Sequence, residues 1–473
     1  MNEKITVKPH FVYVFTLLYP YLSLLVIPVI RGVYRFFAGQ KSTLSAFFAA
    51  EVVMLLLAFF AALLKLKSTK LQLSDDIEVQ KGLIFRVRYV IPQGASKIIM
   101  LESDPFSRLF GLYRLKIYTE AGRRRRPDES IPISRKTAEL LFKMLKVEGQ
   151  TVKSNTLGNV VMSAALSSSL TGFLLAFPVV RAFVGLVGEG MAAALPELRS
   201  KVGLIAEAER LVRFLPLVFL IGYAVSFAVL LLRNSGFSSV RSGNRIMLDS
   251  GKLPHRTLFL STRSVNAVKT VTAPLMRLAG KCAVKFSACG FGRSKGEIGL
   301  LLPCVKPQLA KGLTKWLLPQ FKAPETAVTP DKKAVKRSAF LPLAILAATA
   351  VAAYTVHTRY RMPQSVLVPL LLIASAVILL WLTARLLGAL KGVFALDEQN
   401  CRILGQKGFG TAELMCEKGN IQYFRILQTP FDRRHRHCSL KVVTSAKNRD
   451  AVKVRYLDKH KVEALLQDTS QSV

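Results

Sequence analysis

The chain has 473 residues, of which 51% are hydrophobic and only 20% charged. Its 67 Lys and Arg against 29 Asp and Glu leave a formal net charge of +38. A nucleic-acid-binding protein is rarely this apolar, and a disordered basic tail would confine the charge to one stretch, so the composition sets both aside. Apolar and basic together predict a membrane protein with basic faces on one side of the bilayer.

In chain order, six apolar segments approach the 20 or so residues that a bilayer core requires: 11–30, 44–64, 160–180, 214–232, 340–356 and 366–382. The first is too long for a signal-peptide core and is followed directly by Arg31 and Arg35, so it reads as an anchor. The segments fall in pairs, each followed by a long polar stretch. If every segment spans, 57 of the 67 basic residues lie on one side and 10 on the other. By the positive-inside bias this places both termini and the long stretches in the cytoplasm, with the chain in the cell membrane as a multi-pass protein. The expected fold is therefore membrane α-helical, six transmembrane helices in three hairpins, with three cytoplasmic α+β domains. The expected boundaries are hairpins at 1–64, 156–233 and 326–388 (the last with a preceding linker), and domains at 65–155, 234–325 and 389–473. Glu51 is the one acid near the middle of a span, and such residues are costly and often functional.

Comparison of the chain with itself gives a pattern. Pro105-Phe-Ser-Arg108 is followed by Leu115-Lys116-Ile117, Pro274-Leu-Met-Arg277 by Val284-Lys285-Phe286, and Pro430-Phe-Asp-Arg433 by Leu440-Lys441-Val442, at the same offset. Each polar stretch reads as strands and then one amphipathic helix. In the first, 71–73 and 77–79 flank a turn, and apolar and basic residues alternate over 83–92 and 112–119. Ser134 is a candidate N-cap before Ala138, Leu141, Phe142 and Leu145. In the second, Leu309, Leu313, Trp316 and Leu317 form the helix stripe; in the third, Asp458 caps and Val462, Leu465 and Leu466 follow.

The run Leu71-Gln-Leu-Ser, Gly82-Leu-Ile, Ile91-Pro92, Pro105-Phe-Ser-Arg-Leu-Phe-Gly111-Leu-Tyr-Arg-Leu-Lys-Ile and Ala121-Gly122 resembles the bacterial pleckstrin-homology (PH) domain. The second stretch keeps Arg277-Leu-Ala-Gly280, whereas the third has Arg433-Arg-His-Arg436 and lacks that glycine. The three-copy arrangement is similar to YdbT-like multi-pass membrane proteins. The resemblance implies a bent β-barrel or sandwich capped by a C-terminal helix, in a membrane-anchored module without catalysis.

The sequence carries no catalytic motif and implies no enzyme, cofactor or metal. Gly290-Phe-Gly292-Arg-Ser-Lys-Gly296 lies between two expected strands and reads as a hairpin turn rather than a phosphate loop. His435, His437 and Cys438 are metal-ligand types, but on a strand Cys438 opposes the two histidines. The six cysteines make no Cys-x-x-Cys pair, which fits a reduced, cytoplasmic setting. The basic runs Arg123, Arg124, Arg125, Arg126 and Arg433, Arg434, Arg436 are the candidate contacts for anionic phospholipid headgroups. They are not interleaved with stacking aromatics, so nucleic acid is not an expected partner. The leading expectation is a non-enzymatic membrane scaffold whose PH-like domains bind partner proteins, one another or anionic lipid. The alternative is a component of a membrane transport or export system, with Glu51 on its path.

Overall fold

The computed structural model describes residues 5–15, 18, 44–73, 76–82, 85–92, 97–119, 127–167, 220–288, 290–291, 299–360, 364–444 and 452–471. The chain divides into two compact units, Met1–Val147 with Leu253–Leu260, and Glu148–Lys252 with Ser261–Val473.

In the first unit, β1 (Ile5–Val7), β2 (Lys70–Leu73), β3 (Ile77–Lys81) and β4 (Val87–Ile91) make one antiparallel sheet in that order. Its inner face comes from alternation, with Ile77 and Val79 buried and Glu78 and Gln80 only half-buried. Helix α1 (Leu44–Ser68) precedes β2, which pairs back onto β1. The chain therefore leaves and re-enters this sheet at neighbouring strands. A second antiparallel set holds β5 (Lys97–Ser103), β6 (Leu112–Thr119) and β7 (Glu129–Ser134), with the short helix α2 (Pro105–Leu109) between β5 and β6. Helix α3 (Arg135–Leu145) closes it. The Ser134 hydroxyl accepts the Thr137 N–H at 3.3 Å, and Ala138 and Leu141 are buried, as the apolar spacing predicts. Strand β11 (His255–Ser261) comes from much later in the sequence and lies along β5, from His255 opposite Ser103 to Leu260 opposite Ile98.

In the second unit, β8 (Gln150–Lys153), β9 (Ser238–Ser242) and β10 (Arg245–Ser250) pair in order, and helices α4 (Thr156–Leu166) and α5 (Leu220–Asn234) fall between β8 and β9. Next come β12 (Val265–Thr272), α6 (Pro274–Leu278), β13 (Cys282–Ala288), β14 (Leu300–Val305) and α7 (Pro307–Leu317). Strand β15 (Ala327–Val328), the long helices α8 (Lys332–Tyr360) and α9 (Gln364–Leu390), and β16 (Val393–Leu396) follow, with β15 paired to β16. The chain ends in β17 (Asn400–Lys407), β18 (Gly410–Glu417), β19 (Ile421–Leu427), α10 (Pro430–Arg434), β20 (His437–Thr444), β21 (Lys453–Asp458) and α11 (Lys459–Gln471). Here β12 pairs with β18, from Ala267 opposite Cys416 to Thr272 opposite Thr411. The core of this last part is apolar: Phe394, Ile403, Leu414, Leu440, Val454 and Val462 are fully buried in one cluster. Each large apolar side chain buried this way contributes about 1.5–3 kcal/mol.

The same order of elements therefore occurs in three segments: four strands, a five-residue helix beginning on proline, two strands and a longer helix. Strands β13 and β14 pair across the segment that contains Gly290-Phe-Gly292, which is a hairpin connection. The stripe expected on α7 is only partly realised, since Ala310 and Leu317 are buried but Leu309 is 54% exposed.

Six transmembrane helices in three hairpins is overturned as a fold class. The described chain is rich in β-sheet, with twenty-one strands, and one window of it, Ser338–Thr355 in α8, is long and apolar enough to cross a membrane. Among the described residues, the other apolar stretches found in helices, Thr156–Leu166, Leu220–Asn234 and Ala374–Leu390 (the last part of α9), are shorter. The reason is that hydropathy counts apolar residues without knowing what covers them. Where 160–180 was expected to span, α4 ends at Leu166; its Gly158, Met162 and Ser163 are buried, and it packs on β14 and α6. A Cβ on Gly158 would lie 2.9 Å from the Cys304 carbonyl oxygen, so protein covers this face. The last turns of α9 likewise bury Ala384, Arg385 and Ala389 and pack on β17 and β21. At the start of 11–30, Val14 and Leu18 are buried with Ala62 of α1. Residues 19–30, 168–180 and 214–219 of the expected spans lie outside the described residues. The multi-pass assignment is left without the support of those hairpins.

Cys282, Cys304, Cys401, Cys416 and Cys438 are buried free thiols, and burial pushes Cys282 and Cys438 up to about 11. A thiolate reagent at pH 8 should therefore label the native chain at Cys289 at most, and all six positions after unfolding. Rapid native labelling of Cys438, read by peptide mass, would contradict the packing of β20.

Candidate anion-binding face

The Pro-x-x-Arg motif folds the same way in all three segments. Pro105, Pro274 and Pro430 open α2, α6 and α10, where a missing N–H costs nothing. The carbonyls of Arg108, Arg277 and Arg433 then accept the N–H of the residue three positions on, at 3.1, 2.9 and 3.2 Å. That residue takes a left-handed conformation each time: Gly111 at φ 61°, Gly280 at φ 61° and Arg436 at φ 55°. Glycine adopts it freely, whereas a side chain there costs about 1–2 kcal/mol. The third segment thus carries arginine at a position where the other two carry glycine.

That turn is held rigidly. Thr429 caps α10 by accepting the Asp432 N–H, and the Asp432 carboxylate accepts from the Thr429 N–H at 3.0 Å and hydroxyl at 2.8 Å. Arg433, Arg434, His435 and Arg436 are all exposed.

The third motif residue, Lys441, sits on β20 between Arg425 of β19 and Lys453 of β21, each directly opposite in register. Facing residues of antiparallel strands point to the same side, so three cations line up across one face. Arg455 lies two residues along β21 from Lys453. Burial holds the Lys453 ammonium below its usual range, and Arg455, Arg385 and Arg425 add repulsion against the single opposing charge of Asp432. Burial, then Arg385, does the same to Arg455. Arg385 is buried, with its guanidinium 5.1 Å from the Trp381 ring centre and one amine 3.5 Å from the Tyr456 hydroxyl. Its Nε has no acceptor among the described residues. Like charges set side by side are unfavourable unless an anion lies among them.

The first segment neutralises the equivalent lysine. Lys116 pairs with the buried Glu102, which also pairs with Arg256 of β11, its Nε 2.6 Å from the carboxylate. Burial alone would raise the Glu102 carboxyl, but Arg256 and Lys116 outweigh it and hold the group below the usual carboxylate range. Glu129 ties the first unit's two strand sets together by accepting from Lys81 of β3 and Tyr89 of β4. In the second segment, Lys285 stands opposite Lys269, and Arg277 donates to the Thr411 hydroxyl of β18 at 2.9 Å. Arg277 therefore secures a strand pairing.

Arg123, Arg124, Arg125 and Arg126 lie outside the described residues, as does the side chain of Glu51, which is a residue of α1. His435 and His437 stack with ring centres 6.4 Å apart, while Cys438 is buried. No group of three or more His, Cys, Asp or Glu gathers among the described residues. Arg385 of α9, Arg425 of β19, and Lys453 and Arg455 of β21 come from three separate elements, and strand register sets Arg425 and Lys453 on either side of Lys441.

Residues 22–147 match the family model of the bacterial PH domain, a class of lipid- or protein-binding module that is typically non-catalytic. The match covers the first segment and part of what precedes it, and it gives no support to the YdbT-like multi-pass assignment. No curated protein and no solved structure matches the chain.

Replacing Glu102 with Gln leaves Lys116 and Arg256 without their shared anion, and should cost about 3 kcal/mol at pH 7. Because the folded-state carboxyl is held below its ordinary 4.5, its contribution is complete above that value and is lost as the pH falls through the folded one. Denaturant unfolding at pH 7 and pH 3 should therefore show the gap between Glu102→Gln and the parent narrowing in acid. A constant gap would contradict the ion triad.

Proposed function

We propose that the protein is a non-catalytic binding protein at a membrane surface, built from three related PH-like modules, and that its third module holds an anionic phospholipid headgroup. The observation that carries this reading is Arg436, a cation kept in a strained backbone position that glycine fills in the other two segments. Arg433 and Arg434 flank it, and the row Arg425–Lys441–Lys453 lies on the same module. Near an anionic leaflet each basic residue contributes about 1 kcal/mol. Relatedness of the modules is supported by the recurring element order, by the motif turn with its shared hydrogen bond, and by the bacterial PH match of 22–147. The membrane setting is supported by the exposed apolar side chains of α8, among them Phe340, Val351 and Tyr354, which water covers poorly. With the basic excess, this favours the cytoplasmic leaflet.

Native mass spectrometry of the detergent-purified full chain, titrated with equal phosphatidylglycerol and phosphatidylcholine, tests the reading. Phosphatidylglycerol adducts should predominate by tenfold or more and weaken as salt rises. The change Arg433→Ser, Arg434→Ser, Arg436→Ser should bring the ratio towards one. Arg436→Gly alone should weaken the preference while raising stability by about 1 kcal/mol, because it relieves the left-handed strain. Equal adducts of both lipids on the parent chain would contradict the proposal.

A further inference from the structure

Two strand pairings join neighbouring segments, and they share one register. In the first unit, Ser103, two residues before Pro105, stands opposite His255, nineteen before Pro274. In the second unit, Thr272, two before Pro274, stands opposite Thr411, nineteen before Pro430. The fourth strand of one segment thus receives the third strand of the next, over six residue pairs each time.

This rule leaves two half-junctions over. Strand β4 is the third strand of the first segment, and among the described residues it pairs with β3 alone. Strand β19 is the fourth strand of the third segment, and among the described residues it pairs with β20 alone. Both are edges, and both carry large apolar side chains in the open: Val87 is 56% exposed, Val90 49% and Tyr423 49%. Unpaired edges of this kind are templates for another strand.

We infer that β4 of one copy pairs antiparallel with β19 of a second copy of this chain, in the register of the two internal junctions. That register puts Leu427 opposite Val87, Phe424 opposite Val90 and Tyr423 opposite Ile91. At the Phe424–Val90 position the internal junctions hold Ile99 with Phe259 and Val268 with Met415; at the Tyr423–Ile91 position they hold Ile98 with Leu260 and Ala267 with Cys416. Both positions are apolar in all three. The intervening Arg425 and Arg88 meet Tyr89 and Ile426, so no like charges face each other. Each copy offers one edge of each kind, which makes the contact head-to-tail and extendable beyond two copies. The inference rests on strand register and element order and is independent of the lipid reading.

Cross-linking of full-length chains carrying Cys289→Ser tests it. Facing residues of an antiparallel pair lie within disulfide reach. A mixture of Val87→Cys chains and Leu427→Cys chains, oxidised with copper phenanthroline, should give a band at twice 52.3 kDa. That band should be at least fivefold weaker for either variant alone and for Val90→Cys mixed with Leu427→Cys, which is out of register. Unreactive native thiols in each variant would report that it has folded. The inference is overturned if folded variants give no such band, if the out-of-register pair cross-links equally, or if a single chain carrying both cysteines closes only on itself at every concentration.

Discussion

The pairing of β5 with β11, and of β12 with β18, is the interaction on which the rest of the structure depends. A strand edge presents a row of N–H and C=O groups that must be met by something, and each of these pairings meets two such rows at once. Side chains then reinforce the backbone differently at each junction. The first gains a buried carboxylate shared by Lys116 and Arg256, while the second sets Val271 against Ala412 and adds the Arg277–Thr411 hydrogen bond. One backbone register thus tolerates an ionic and an apolar solution, because the ladder supplies specificity that the side chains need not repeat.

Where the first junction neutralises charge, the third segment accumulates it. Lys116 has Met100 and Ser130 on either side, whereas Lys441 has Arg425 and Lys453. The lysine at this position has a carboxylate partner in the first segment and like charges beside it in the third, and the neighbouring strands make the difference. Arg436 adds to that charge at a backbone position where glycine would be more stable. Strain held at one residue of a well-capped turn is a local cost the buried core around Phe394 and Leu440 readily offsets.

Much of the local structure was legible in the sequence. Alternation located β6, the Ser134 cap started α3, and the Pro-x-x-Arg spacing marked three identical turns. What was not legible is long-range. Nothing in the residues of β11 says that it lies along β5. For the same reason the Arg425–Lys441–Lys453 row was invisible: only Lys441 belongs to a motif, and its neighbours are set by register. The apolar segments misled because Gly158, Met162 and Ala384 look alike whether lipid or protein covers them, and here protein does.

Amide hydrogen exchange of the full chain, resolved to the peptides of β11 and β18, tests the junctions most directly. If β11 lies along β5, its amides that face β5 across Thr257–Leu260 should exchange by several orders of magnitude below loop rates, as those of β6 do, with β18 equally protected. Exchange across Thr257–Leu260 at the rate of a solvated loop, with β6 still protected, would show that β11 does not lie along β5 and would contradict the account.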